Sequence, residues 1–453
     1  MCACPSRPPR NGSPPASTAS NASSHPPRGR ERSRPASAHA AGEAMRGHDG
    51  PMAADPSDVI YLDHAAATRV RPEVDEAMRE AAVRAFANPS SLHAAGRDAR
   101  RVLEDCRERI LSLLGARAVG GARDRLVFTG GATEANVLGI VGLAGSAGGT
   151  ILSSARDHGS IRAATNMLAR RGGWSAVQVP LRTDATLALP ADPSALFRDA
   201  TGGRRILATT LACGQTGTVE DTTAVADLVA RTPGLAVHVD ATQAIAYLPI
   251  DLSRLPAATL ALAPHKFGGP RGIGGLLVRR GSGLEPVVSG PQEEGLRGGT
   301  EAVVLAVGFA RALEVAVAER VAETARITDL RTRLETVIQA AAAASGLRAV
   351  IVSETARRVA HITTIAFPGV DRQTLVIAAD LAGVCVATGT ACASGSSEPS
   401  PALVAAGLGE AVTRSAVRFS LGRDTRPRDV EQVGTRLADV LRRCARADGP
   451  GAT

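Results

Sequence analysis

The chain has 453 residues, 44% of them hydrophobic and 21% charged, the composition of a globular protein long enough for two domains. Its net charge of +8 comes from arginines scattered along the sequence, with no block interleaved with aromatics, which argues against nucleic acid as a direct partner. No run reaches the ~18 apolar residues of a membrane span, and seven scattered cysteines with no metal-site spacing point to a reducing, cytoplasmic compartment.

Residues 1–57 read as a disordered extension, since Met1 to Arg30 holds no acidic residue and is crowded with Pro, Ser, Ala and Arg. That composition also fits an organellar transit peptide, although the prolines oppose the amphipathic helix such a peptide needs; a translation start at Met45 or Met52 is a third reading. From Val59 onward apolar strands alternate with amphipathic helices, the pattern of an α/β domain with a mostly parallel, mixed sheet. The expected partition is a large domain over 58–315, a smaller α+β domain over 316–447 and a tail at 448–453.

The segment Arg125–Thr129 predicts a strand, and Gly130-Gly131-Ala132-Thr133 behind it opens a helix. Such a turn offers free N–H groups and a hydroxyl at a positive helix end, which suits a phosphate, although many turns of this kind are only connectors. A strand at 150–153 leads to His158, placed to stack on a flat ring or to serve as a structural histidine. Strands follow at 205–210 and 236–239, the latter ending in Asp240, and ligands of open α/β sheets bind at such strand ends.

The next strands, at 260–263 and 275–278, flank Lys266, the single lysine among 52 basic residues. Arginine carries charge equally well but cannot lose a proton near neutral pH, so a lone lysine beside a Gly-rich turn marks amine chemistry. In pyridoxal phosphate enzymes a lysine holds the cofactor's aldehyde and a carboxylate keeps its pyridine nitrogen protonated. Asp240 and Lys266 fit those two places, while either alone fits a salt bridge. A long helix over 301–344 reads as a domain connector, followed by an apolar segment at 361–367 and a helix at 372–382. Cys392 then lies in a Gly/Ser-rich loop, an exposed setting that suits a nucleophilic thiolate better than a core residue. A strand at Ala416–Ser420 and a helix from Arg428 close the chain.

With these residues in view, the chain resembles the cysteine desulfurases, pyridoxal phosphate enzymes of fold type I in the class V aminotransferase group. The resemblance runs from about Tyr61 to Leu441, through Tyr61-Leu-Asp-His-Ala-Ala-Ala-Thr68, Asn88-Pro-Ser-Ser-Leu-His93, Phe128-Thr-Gly-Gly-Ala-Thr-Glu134, His238-Val-Asp-Ala-Thr-Gln243, His265-Lys266, Gly295-Leu-Arg-Gly-Gly-Thr-Glu301, Gly389-Thr-Ala-Cys392 and Val417-Arg418-Phe-Ser-Leu-Gly-Arg423. It implies that Lys266 is the Schiff-base lysine, Asp240 pairs with the pyridine nitrogen, Gln243 contacts the ring hydroxyl and His158 stacks on the ring. Ala132, Thr133 and His265 would hold the phosphate, with Thr300 reaching that of the neighbouring subunit in a homodimer. Arg418, assisted by Asn88, would clamp the carboxylate of L-cysteine. Cys392 would take the sulfur as a persulfide, release L-alanine, and pass the sulfur to an acceptor protein in iron–sulfur cluster assembly or tRNA thiolation.

The pattern is broken where Gly214 stands in place of the family's asparagine, with Gln215 as the candidate substitute, and where Ala263 replaces a phosphate-binding serine. The segment 289–293 also lacks the family's histidine. These departures keep two other readings in view: a selenocysteine lyase or other pyridoxal phosphate lyase or aminotransferase, and a non-catalytic sulfur-relay scaffold.

Overall fold

The structure, a computed structural model, describes residues 58–117, 123–197, 203–389 and 398–447; the extension 1–57, the tail 448–453 and Cys392 lie outside them. In chain order β1 (Ile60–Tyr61), α1 (Pro72–Arg84) and α2 (Ala94–Leu113) precede an alternating run. It comprises β2 (Arg125–Thr129), α3 (Ala132–Ala144), β3 (Gly149–Ser153), α4 (Gly159–Arg170), β4 (Trp174–Gln178), β5 (Arg204–Thr210), α5 (Thr222–Arg231), β6 (Leu235–Asp240), β7 (Thr259–Leu262) and β8 (Gly274–Val278).

These strands form one seven-stranded sheet in the order β2-β8-β7-β6-β5-β3-β4. Only β8 runs against its neighbours, so the sheet is mixed and mostly parallel as expected. Strands β3, β7 and β8 are buried along their whole length, and β2 from Leu126 onward, which is why they read as continuous apolar runs. The edge strand β4 alternates between half-buried and exposed residues after Trp174, and its weaker pattern escaped the sequence reading.

The 42-residue α6 (Val303–Ala344) spans about 63 Å at 1.5 Å per residue. Its first half puts Ala306, Phe309 and Leu313 into the core under the large sheet. Its second half puts Ile327, Leu334 and Ile338 into another core, with Leu62, Phe367 and Phe419. That second core is built on β9 (Val350–Ile351), β10 (Ile362–Ala366), α7 (Arg372–Leu381), β11 (Val384–Cys385), α8 (Pro401–Ala405), α9 (Glu410–Thr413), β12 (Ala416–Ser420) and α10 (Pro427–Ala447). Strands β12, β10 and β9 make an antiparallel sheet, and β1 pairs in parallel with β11. No described helix is long and apolar enough to cross a membrane.

Candidate active site

Strands β2, β3, β5, β6 and β7 point the same way, so their following turns meet along one edge of the sheet. Those turns carry Gly131 to Thr133, His158, Gly214, Asp240 to Gln243, and Lys266. Convergence of loops at the carboxyl ends of parallel strands is where this architecture places a ligand.

Lys266 ends the short helical turn Pro264–Lys266, and its Nζ donates to the carbonyl oxygens of Ala65 at 2.7 Å and Ala66 at 2.8 Å. The 65–68 segment is itself fastened to that turn, since the Thr68 hydroxyl donates to the His265 carbonyl at 2.9 Å and accepts from Gly268 N at 2.8 Å. Gln243 Nε2 donates to the same Ala65 oxygen at 2.8 Å. Its Oε1 faces His361 Nε2 at 3.1 Å, and the His361 ring is stacked on Tyr247 with centroids 4.0 Å apart. Burial, reinforced by Lys266 and Arg271, pushes the His265 imidazole down to about 4, so it is neutral at neutral pH.

Asp240 is buried at the end of β6, where Oδ1 accepts from Thr242 N at 2.9 Å and Oδ2 from Asn136 Nδ2 at 2.8 Å. His158 caps α4, with Nδ1 accepting from Ser160 N at 3.2 Å. Surrounding protein pushes its pKa down against the pull of the nearby Asp240 carboxylate, and Lys266 adds to that lowering. His158, Asp240 and Lys266 therefore lie within electrostatic reach of one another.

Arg418, buried on β12, donates through Nη1 to Gly214 O at 2.8 Å and through Nη2 to Asp63 Oδ1 at 2.7 Å. Its Nε is buried with no hydrogen-bond partner among the described residues. A Cβ on Gly214 would come no closer than 3.8 Å to Gln243, so the missing asparagine has left room rather than a refilled space. Gln215 does not substitute for it: its amide nitrogen turns to Thr388 O at 3.3 Å and Thr364 Oγ1 at 3.5 Å, and the Thr364 hydroxyl donates to the Gln215 backbone carbonyl at 2.6 Å.

Ala263 is fully buried ahead of the lysine turn and supplies no hydroxyl. Thr133 is exposed in the first turn of α3, whose N–H groups have no intrahelical acceptor, and a Cβ on Gly131 would meet open space. Thr300 is exposed on a loop tied back to α3 by Arg297 Nε donating to Glu134 Oε1 at 2.8 Å. Asn88 lies in an exposed turn, where its Oδ1 accepts from Ser90 N at 2.8 Å.

The profile of the family described as Aminotransferase class-V matches residues 60–433. A "Cysteine desulfurase IscS" of Dictyoglomus turgidum is 31% identical over 388 residues, covering 85% of this chain and 94% of that protein. The chain belongs to the cysteine desulfurase family, within the class V aminotransferases. Among solved structures of related proteins, a "NIFS-LIKE PROTEIN" superposes with a TM-score of 0.75 at 26% identity, covering 84% of this chain and 99% of the other. A structure described as "SspA in complex with cysteine" superposes with a TM-score of 0.66 at 27% identity, covering 80% and 98%. Cysteine desulfurases of this class depend on pyridoxal phosphate, and the fold expected for them is the one observed.

Several residues at this cysteine desulfurase edge were assigned no role in the sequence. Asp63, Ala65 and Ala66 lie in the matching stretch Tyr61–Thr68 but act through a distant arginine or through the backbone, Asn136 sits inside an apolar helix, and His361 is brought in from a segment far away in the chain.

Proposed function

We propose that the protein is a pyridoxal phosphate-dependent cysteine desulfurase that moves sulfur from L-cysteine to Cys392. The observation that carries the reading is the meeting of Lys266, Asp240 and His158 at one sheet edge, with Arg418 beside them.

The residues present fit the cofactor. The open first turn of α3 offers N–H groups of Ala132 and Thr133 to a phosphate, and neutral His265 has an N–H to add. Asp240 offers a buried carboxylate for the pyridine nitrogen, and Gln243 an amide for the ring hydroxyl. Pyridoxal phosphate, when bound, supplies an electron sink that labilises bonds at the substrate's α and β carbons.

The chain's own groups do the rest. Lys266 provides the amine that holds the cofactor. His158, neutral at neutral pH, can take up or return a proton at its ring nitrogen. Arg418 brings a guanidinium, held by Asp63 and Gly214 and with its Nε–H without a partner among the described residues, to clamp the substrate carboxylate. Cys392 as thiolate attacks the substrate sulfur: the cysteine C–S bond breaks, an S–S bond forms on Cys392, and the carbon takes a proton to give alanine. One cysteine and one enzyme thiol thus give one alanine and one enzyme persulfide. The persulfide then serves an acceptor protein, and Thr300 fits a homodimer in which each subunit completes the other's phosphate site.

The test is production of alanine and, with a thiol reductant, sulfide from L-cysteine by the pyridoxal phosphate-loaded protein. Cys392→Ala must abolish turnover; a variant that retained it would move the reading to a lyase or aminotransferase that does not use this thiol.

A further inference from the structure

We infer that Asn136 is a positioning residue of this site, one amide that sets the Asp240 carboxylate and the His158 imidazole together. The inference rests on the proposed reading of Asp240 and His158 as cofactor contacts.

Asn136 is fully buried in α3, three residues beyond Thr133. Its Nδ2 donates to Asp240 Oδ2 at 2.8 Å and to Ser160 Oγ at 2.8 Å, while its Oδ1 lies 2.9 Å from His238 Nε2. An amide nitrogen has two hydrogens and no acceptor capacity, so both are used and Oδ1 must accept from His238. His238 therefore carries its hydrogen on Nε2, and its Nδ1 accepts from the Thr259 hydroxyl at 2.9 Å. Burial, against the pull of Asp240, holds this imidazole down at about 4, so it is neutral. Flipping the amide would bring Oδ1 against the Asp240 carboxylate, acceptor on acceptor.

The direction carries onward. Ser160 Oγ, having accepted from Asn136, gives its own hydrogen to His158 Nδ1 at 2.7 Å, where Ser160 N also donates at 3.2 Å. His158 is thereby fixed with its hydrogen on Nε2. From Thr259 through His238, Asn136 and Ser160 to His158 every hydrogen points the same way, with Asp240 as a branch at the amide. Gly139 makes room for the relay, since a Cβ there would come 2.4 Å from His238 Nδ1.

The experiment reads imidazole nitrogen spectra of the full chain, with and without added pyridoxal phosphate, for the native protein, Asn136→Ala and Ser160→Ala. Cofactor affinity is titrated alongside. The native protein should show the Nε2–H form at both His158 and His238. Asn136→Ala should release His238 into tautomer exchange, shift the His158 Nδ1 resonance through the freed Ser160 hydroxyl, and weaken pyridoxal phosphate binding by about tenfold, the loss expected for a hydrogen bond to a charged group. Ser160→Ala should leave His238 unchanged and shift the His158 Nδ1 resonance, since that nitrogen then accepts from the backbone N–H of residue 160 alone, which keeps the test decisive if Asn136→Ala does not fold. Nδ1–H at either ring in the native protein, unchanged spectra in Asn136→Ala, or an unchanged His158 in Ser160→Ala would each overturn the inference. A chain that bound no pyridoxal phosphate would defeat the proposed function, while the spectra without cofactor would still decide the place of Asn136.

Discussion

Lys266 Nζ and Gln243 Nε2 share one acceptor, the carbonyl oxygen of Ala65, at 2.7 and 2.8 Å. The backbone just after β1 thus holds the amine and the amide side by side, although nearly 180 residues separate Ala65 from Gln243. Replacing Lys266 by arginine keeps a cation for the two carbonyls but removes the deprotonatable amine. Lys266→Arg should fold with a melting temperature close to that of the native protein and lose the visible absorbance band of lysine-bound pyridoxal phosphate. A band that persisted in the variant would remove Lys266 from its proposed role.

Arg418 holds two different acceptors, Gly214 O and Asp63 Oδ1, through separate guanidinium nitrogens. An ammonium group is a compact point charge and cannot span both and still present a planar edge to a carboxylate. Arg418→Lys should therefore raise the KM for cysteine by about tenfold or more, the worth of a charge-assisted hydrogen bond, while leaving the cofactor band intact. Steady-state kinetics with cysteine as the varied substrate measure it.

At Gly214 the surroundings leave ordinary van der Waals distance to Gln243, 3.8 Å from an added Cβ. Gly214→Asn should be accommodated without loss of stability and should place a second amide near Gln243. One added neutral hydrogen bond, at roughly 0.5–1.5 kcal/mol, corresponds to cofactor binding tightened by about two- to tenfold. Titration of the apoprotein with pyridoxal phosphate gives the ratio.

The imidazoles of His64, His238 and His265 are each pushed down to about 4, first of all by burial. Unfolding returns them to about 6.5, so the unfolded chain binds more protons throughout that interval. Their stabilising contribution is complete above pH 6.5 and is lost progressively as pH falls toward 4. Melting temperature should decline over that window, and His238→Gln, which keeps a donor for Asn136, should flatten the decline; an identical slope in the variant would contradict the assignment.

The parts of this site legible in the sequence were those whose residue type is dictated by local geometry. A Gly-Gly turn between a buried strand and a helix, a carboxylate ending an apolar strand and a solitary lysine after the next strand all appear where the reading placed them, at the ends of β2, β6 and β7. What was not legible depends on long-range approach. Asn136 lies among apolar residues in α3 and becomes meaningful only when β6 and α4 are packed against that helix. Asp63 gains its role only because β12 lies alongside the 61–64 segment, and Gln215 is engaged by Thr364 and Thr388, partners 149 and 173 residues away that nothing local reveals. The two-residue strands β1 and β11 are too short to carry any pattern, and nothing local shows that the segment after β1 lays the Ala65 carbonyl against Lys266.

The central claim is most directly tested by measuring alanine formed from L-cysteine by the purified, pyridoxal phosphate-loaded protein, beside Lys266→Ala and Cys392→Ala. The account predicts alanine in the native protein, accumulating with sulfide when a thiol reductant is present, and none above background in either variant. A native protein that binds pyridoxal phosphate yet forms no alanine from cysteine would contradict it.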